Sequence, residues 1–129
     1  MSLEKLVFEG ESYTSEIFQQ YIKMGGEVWV IEEDGEIIAY ILYIIYDRMA
    51  HLISIAVHPN HRGKGLGRKL ISKMEEEAKR QGAERVWLEV KANNPARTFY
   101  RRLGYREIIR VERYYPNGND AIRMMKEIL

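Results

Sequence analysis

The stretch Ile53-Ser-Ile-Ala-Val-His-Pro-Asn-His-Arg-Gly-Lys-Gly-Leu-Gly-Arg-Lys-Leu70 decides how the 129-residue chain is read. An apolar run, a glycine-rich turn and an amphipathic start follow one another, which predicts a buried strand, a tight loop and the first turn of a long helix. Gly63, Gly65 and Gly67 stand at alternate positions. Without Cβ atoms, that backbone can turn successive N–H groups towards one point. The point lies at a helix N-terminus, where unpaired N–H groups and the helix dipole favour an anion. Arg62, Lys64, Arg68 and Lys69 add positive charge to the same turn. The stretch reads as a phosphate cradle, with an ordinary glycine-rich turn as the plain alternative.

Three glycine-rich patterns compete for it. A P-loop requires a hydroxyl residue after Gly-Lys to hold magnesium, but Arg68-Lys69-Leu70 follows Gly67. A dinucleotide fingerprint places Gly-x-Gly-x-x-Gly directly after its strand, with an acid about 20 residues on. Glu89 lies near that distance, yet the glycine spacing differs and His58 to Arg62 intervene. The third pattern, Arg/Gln-x-x-Gly-x-Gly/Ala, fits Arg62 to Gly67 without a gap.

Length and composition narrow the classes. The chain is long enough for one domain with a single core. It holds no cysteine, which removes disulfides, thiolate metal sites and a cysteine acyl-enzyme. Its three histidines do not form a convincing metal site, and His58 and His61 read as solvated loop residues. The acidic N-terminus lacks a signal-like apolar segment, and the longest apolar run, Ile37 to Tyr46, is too short to span a bilayer. A cytosolic protein without a membrane partner is expected. Residues 1–50 carry three Lys/Arg against ten Asp/Glu, whereas residues 51–129 carry seventeen against nine. The basic part contains the cradle and suits a polyphosphate ligand; the acidic part suits an amine-bearing partner, or both are merely solvated faces. No basic run is interleaved with aromatics, so nucleic-acid binding has no support.

In chain order, Ser12 or Thr14 caps a helix with Ile17, Phe18, Tyr21 and Ile22 on one face, ended by Gly25-Gly26. Glu27 to Glu32 is a strand, Asp34-Gly35 a hairpin turn, and Glu36 to about Asp47 a strand apolar on both faces and therefore central. A turn at Arg48 leads to the strand before the cradle. The next helix carries Leu66, Leu70, Met74 and Ala78 at a spacing of four and stops at Gly82; its Glu75-Glu76-Glu77 reads as a solvated face. Arg85 to Val90 forms a strand parallel to the pre-cradle strand. Asn94-Pro95 opens a helix ending at Leu103-Gly104. Tyr105 to Arg113 and Asp120 to Glu127 are the last strands. The outcome is an α/β mixed sheet with helices on both faces.

The cradle, the apolar strand with Val-x-Pro before it, and the order of elements resemble the GNAT superfamily of N-acetyltransferases, and residues 1–129 read as one such domain. The resemblance extends to Leu88-Glu-Val-Lys-Ala-Asn-Asn-Pro-Ala-Arg-Thr-Phe-Tyr-Arg-Arg-Leu-Gly-Tyr105, which is similar to the second half of the family's acetyl-CoA site. His51 to Val57 and Arg113-Tyr-Tyr-Pro-Asn-Gly-Asn-Asp-Ala-Ile-Arg-Met-Met125 are similar to the branch acting on protein N-termini, including the N-terminal alanine of a ribosomal protein. It implies an acetyl-CoA site at Ile55, Ala56, Val57, Arg62, Gly63, Lys64, Gly65, Leu66, Gly67 and Arg68, with the backbone N–H groups of the turn holding the pyrophosphate. Asn94, or Asn93 in its place, is implied as a pantetheine contact. Tyr100 is implied as the acid that protonates the leaving thiolate, Glu89 as general base, and the Val57 N–H as oxyanion donor. Glu89 equally reads as a strand-end charge paired with Lys91 or an arginine. Tyr114 and Tyr115 are candidates to line the acceptor peptide, or else tyrosines packed on a sheet edge.

The implied reaction is direct attack of an amine on a thioester. An α-amine titrates near ~7.7–8.0 and a lysine side chain near ~10.4, so an N-terminus is roughly 3 kcal/mol easier to deliver neutral. A small amine or lysine acceptor, or a non-catalytic acyl-CoA-binding module, is the alternative. The family's usual opening strand has few residues to occupy, so an N-terminally abbreviated fold is expected. That would leave a sheet edge open to a partner, a second copy in a homodimer included.

Overall fold

The computed structural model describes residues 15–129. The caps expected at Ser12 or Thr14 and the abbreviated N-terminus lie outside the described residues. Helix α1 (Ser15–Lys23) is followed by strands β1 (Glu27–Glu33), β2 (Glu36–Tyr46) and β3 (Met49–Val57). Then come helix α2 (Leu66–Arg80), β4 (Arg85–Lys91), α3 (Ala96–Arg102), β5 (Arg106–Val111) and β6 (Ala121–Glu127). The six strands form one sheet in the order β1-β2-β3-β4-β6-β5. Every neighbouring pair is antiparallel except β3–β4, which is parallel as the helix between them requires.

Turn chemistry sets the first half. Asp34 and Gly35 both have positive φ, 52° and 80°, the backbone of a primed two-residue hairpin whose twist matches its strands. Asp47 and Arg48 repeat it at 53° and 60° without a glycine. The Arg48 carbonyl accepts from Glu84 N–H at 2.7 Å, tying that turn to the start of β4. β2 is covered on both faces, as its unbroken apolar run anticipates. Ala39, Ile41 and Tyr43 join Leu70, Ile71 and Met74 of α2, while Tyr40 and Leu42 pack with Phe18 of α1.

One irregularity in β3 shapes the middle of the sheet. Leu42 pairs with Ser54 and Tyr43 with Leu52, so Ile53 is an extra residue, a β-bulge. Leu52 lies in the α2 cluster, Ile53 packs against the α1 cluster, and Ser54 hydrogen-bonds Tyr40 of that cluster at 2.9 Å. The bulge bends β3 away from β4. The two pair only at Met49–Arg85, Ala50–Val86 and His51–Trp87. Beyond that point β3 stays with β2 as far as Val57, and β4 stays with β6 as far as Lys91. The sheet parts there into a V.

The acidic triplet of α2 departs from its expected solvated face. Glu77 is 8% exposed and ion-paired with Arg80, and Glu75 accepts from the Tyr105 hydroxyl at 2.8 Å and from Lys126 Nζ at 3.0 Å. A helix lying on a sheet places residues three and four apart over the same strands, so the triplet cannot be wholly solvated. Only Glu76 is exposed. Burial, then the Glu75 charge, raises the Tyr105 phenol far above its ordinary range. Glu75→Ala would leave that buried hydroxyl without an acceptor. We expect a loss of about 1–3 kcal/mol in urea unfolding, largely recovered in Glu75→Gln.

Candidate active site

The V between β3 and β4 holds a cleft of about 770 Å³. Along β3 its wall is a strand edge without a strand partner. The His58 N–H donates to Ile38 O on β2 at 2.7 Å, so by strand alternation the N–H of Val57 points the other way, into the gap. The Val57 carbonyl, on the same side, accepts from Arg62 Nε at 3.1 Å. Arg62 thereby fastens the start of the glycine loop to the end of β3.

The loop then delivers α2 to the cleft. Gly65 caps the helix at φ 79°, ψ 15°, a left-handed conformation that side chains resist. Gly67 has a different reason to be glycine: a Cβ there would stand 3.3 Å from Phe99 Cζ. The first turn of α2 contains no acid and no side-chain cap. Its N–H groups and dipole therefore face the cleft without a competing anion. A phosphate group fits this end.

Most residues singled out in the sequence meet here. Ile55, Ala56, Val57, Arg62, Gly63, Gly65, Leu66, Gly67 and Arg68 line one side, and Glu89, Asn94, Tyr100 and Tyr115 the other. Asn94 rather than Asn93 reaches the cleft. Its Oδ1 accepts from Ala96 N–H at 2.8 Å, capping α3 and leaving Nδ2 to donate elsewhere. Tyr100 is buried beside the rings of Phe99 and Tyr105. Lys64 and Tyr114 are not in the lining. Lys64 turns to His61 Nδ1 at 3.3 Å, and the Tyr114 hydroxyl donates to Glu89 Oε1 at 2.8 Å.

Glu89 is engaged on both oxygens, for Arg123 Nη2 donates to Oε2 at 2.9 Å. The arginine partner foreseen for Glu89 is thus Arg123, which faces it across β4 and β6. Arg123 also lies 4.9 Å from the Trp87 ring, which stacks on His51 at 3.6 Å with planes 5° apart. No local motif marks Arg123; its signal is an arginine alternating with Ile122 and Met124, which join the core. Phe99, Lys91 and His61 also line the cleft without having been foreseen. The histidines correct an expectation. His58 accepts from Asn60 N–H to close the short Pro59–His61 turn, and His61, 21% exposed, lies 3.7 Å from Glu33. Pro59 bends the chain back so that neither ring is simply solvated. Among the described residues no group of His, Cys, Asp or Glu is placed to hold a metal ion.

Residues 2–105 match the model of the acetyltransferase (GNAT) family. The chain belongs to the GNAT family. Its fold and mixed sheet are those of GNAT structures, and acetyltransferases of this family draw on acetyl-CoA. An N-acetyltransferase of Methanocaldococcus jannaschii is 38% identical over 101 residues, covering 77% of this chain and 65% of that protein's length. An N-alpha-acetyltransferase of Sulfurisphaera tokodaii is 32% identical over 129 residues, covering 88% and 77%. The crystal structure of the ribosomal-protein-S18-alanine N-acetyltransferase from Escherichia coli superposes with a TM-score of 0.85 at 28% identity, covering 98% of this chain and 83% of that one.

The histidine on this GNAT sheet has a measurable consequence. Burial lowers the pKa of His51 from 6.5 to about 4; Glu89 opposes the shift and Arg123 adds to it. The unfolded chain takes up that proton near its ordinary pKa, and the folded chain only near the lowered one. Stability is therefore complete above the ordinary value and declines as pH falls through the window between the two. We expect urea midpoints to fall between about pH 7 and about pH 5, and to fall less in His51→Phe, which keeps a ring against Trp87.

Proposed function

We propose that this chain, acting as one acetyltransferase domain, moves an acetyl group from acetyl-CoA directly to the α-amine of a protein N-terminus. The observation that carries the reading is one cleft holding, on opposite walls, an uncapped helix N-terminus on a glycine loop and the Glu89 carboxylate. The names of the S. tokodaii and E. coli relatives support an α-amine acceptor. We further propose that it works in the cytoplasm. No helix among the described residues is long and apolar enough to cross a membrane. A second copy would find unpaired outer edges on β1 and β5 among the described strands.

Acetyl-CoA, when bound, supplies an activated acyl thioester. The backbone N–H groups from Gly63 to Arg68 hold its pyrophosphate, with Arg68 adding charge. Asn94 Nδ2 donates to the pantetheine arm. The inward N–H of Val57 meets the oxygen on which negative charge develops, a contribution of roughly 3 kcal/mol for such a donor. Glu89 receives the proton of the attacking amine at Oε1, where the Tyr114 hydroxyl now sits, while Arg123 keeps Oε2. Tyr100 offers a phenol, a better proton source for a thiolate than water. Tyr115 presents its ring and hydroxyl to the entering chain.

The test is mass spectrometry after incubation with acetyl-CoA and peptides bearing free or blocked N-termini, with polyamines alongside. Acetyl groups on free α-amines are expected. Acetyl groups on lysines or polyamines instead would overturn the acceptor and retain the chemistry. For Tyr100→Phe we expect kcat to fall by about 10²-fold with the KM for acetyl-CoA nearly unchanged. An undiminished kcat would remove Tyr100 from the mechanism.

A further inference from the structure

The cleft has two sides, set by strand alternation. Leu88 and Val90 of β4, with Ile122 and Met124 of β6, point into the core beneath α2 and α3. Glu89, Lys91 and Arg123 therefore project from the opposite face, away from the α2 side where the phosphates are held. Tyr115 accompanies them, with Lys91 Nζ 5.5 Å from its ring. An acceptor reaching Glu89 from this face would not cross the α2 side.

Two cations of this face have partners: Arg123 is committed to Glu89, and Arg85 lies 3.9 Å from Glu127. His51 carries no charge near neutral pH, since burial lowers its pKa to about 4. Lys91 lines the cleft, yet its ammonium makes no ion pair among the described residues and lies over the Tyr115 ring. The exposed ammonium of Lys91 adds positive potential to this side of the cleft, which favours an anionic group entering it. Same-face neighbours on a strand lie about 6.6–6.8 Å apart. An α-amine seated at Glu89 therefore puts Lys91 within reach of a carboxylate on the first or second side chain of the acceptor. The flexible stem of lysine, ending in a point charge, accommodates Asp or Glu at either place.

Building on the N-terminal reading above, we infer that Lys91 is a specificity-determining residue and that the acceptors are N-termini carrying an acidic side chain within their first two residues. Glu89 takes the ammonium and Lys91 the carboxylate, so the acceptor is recognised as a dipole laid along β4. A basic residue in the same place meets Lys91 as a like charge, which penalises the wrong partner.

The experiment compares kcat/KM for peptides identical except for Asp, Glu, Ala, Lys or Arg at positions one and two. With the wild-type protein we expect acidic peptides to exceed basic ones by roughly tenfold, the ratio shrinking as salt is added. Lys91→Met should flatten the ranking and Lys91→Glu invert it, with the KM for acetyl-CoA unchanged and the melting temperature, followed by circular dichroism, preserved. A wild-type preference for basic or neutral peptides would overturn the inference. So would a ranking that survives Lys91→Glu, or a higher acetyl-CoA KM in Lys91→Met that is equal for every peptide. Those results leave α-amine products intact, so they are distinct from failure of the underlying reading. If no peptide gains acetyl on its α-amine, both fall together.

Discussion

A sheet that stops pairing in its middle is the constraint on which this molecule depends. β3 and β4 share three residue pairs and then separate, which leaves the inner edge of β3 with backbone donors and acceptors and no strand to meet them. Buried backbone groups are rarely left without partners, so an opened sheet is tolerated only if something else supplies them. Arg62 supplies one contact by donating to the Val57 carbonyl. The rest of the edge is offered to whatever enters the cleft. The same opening brings the N-terminus of α2, Asn94 at the start of α3 and Glu89 on β4 around one space. None of these groups would face another if the strands had stayed together.

Within that space, the two walls solve opposite electrostatic problems. The α2 wall is positive through backbone dipoles and Arg68, with no acid in the first turn to cancel them. The β4 wall centres on one carboxylate whose oxygens are held by a guanidinium and a phenol. Arg123 is itself steadied by the Trp87 ring, and Trp87 by His51. Glu89 thus receives its orientation from a row of side chains running across three strands, rather than from its own rotamer preference.

Local chemistry was legible in the sequence, and long-range pairing was not. The Asp34-Gly35 turn, the doubly apolar β2, the glycine loop and the Asn94-Pro95 helix start all obey rules that act over a few residues, and the sequence pattern places them correctly. The parallel pairing of β3 with β4 was also readable, because a single helix joins them. The bulge at Ile53 left no mark, since its apolar neighbours suit either face. The insertion of β6 between β4 and β5 was equally silent, and with it went the pairing of Glu89 with Arg123, 34 positions apart. Glu75 and Glu77 looked solvated because their partners, Tyr105 and Lys126 for the first and the covering of α2 for the second, arise only when the helix lies on the sheet.

That inserted strand also governs the order in which the molecule can assemble. β1, β2 and β3 are joined by two-residue turns and form from neighbours in the chain. β5 joins the sheet only through β6, which separates it from β4 and begins only at Ala121. Contacts between distant parts of a chain are slow to close. The half of the sheet that carries Glu89 is therefore closed by the last strand of the chain, so the clamp of Arg123 on its carboxylate depends on a segment far downstream of the glycine loop.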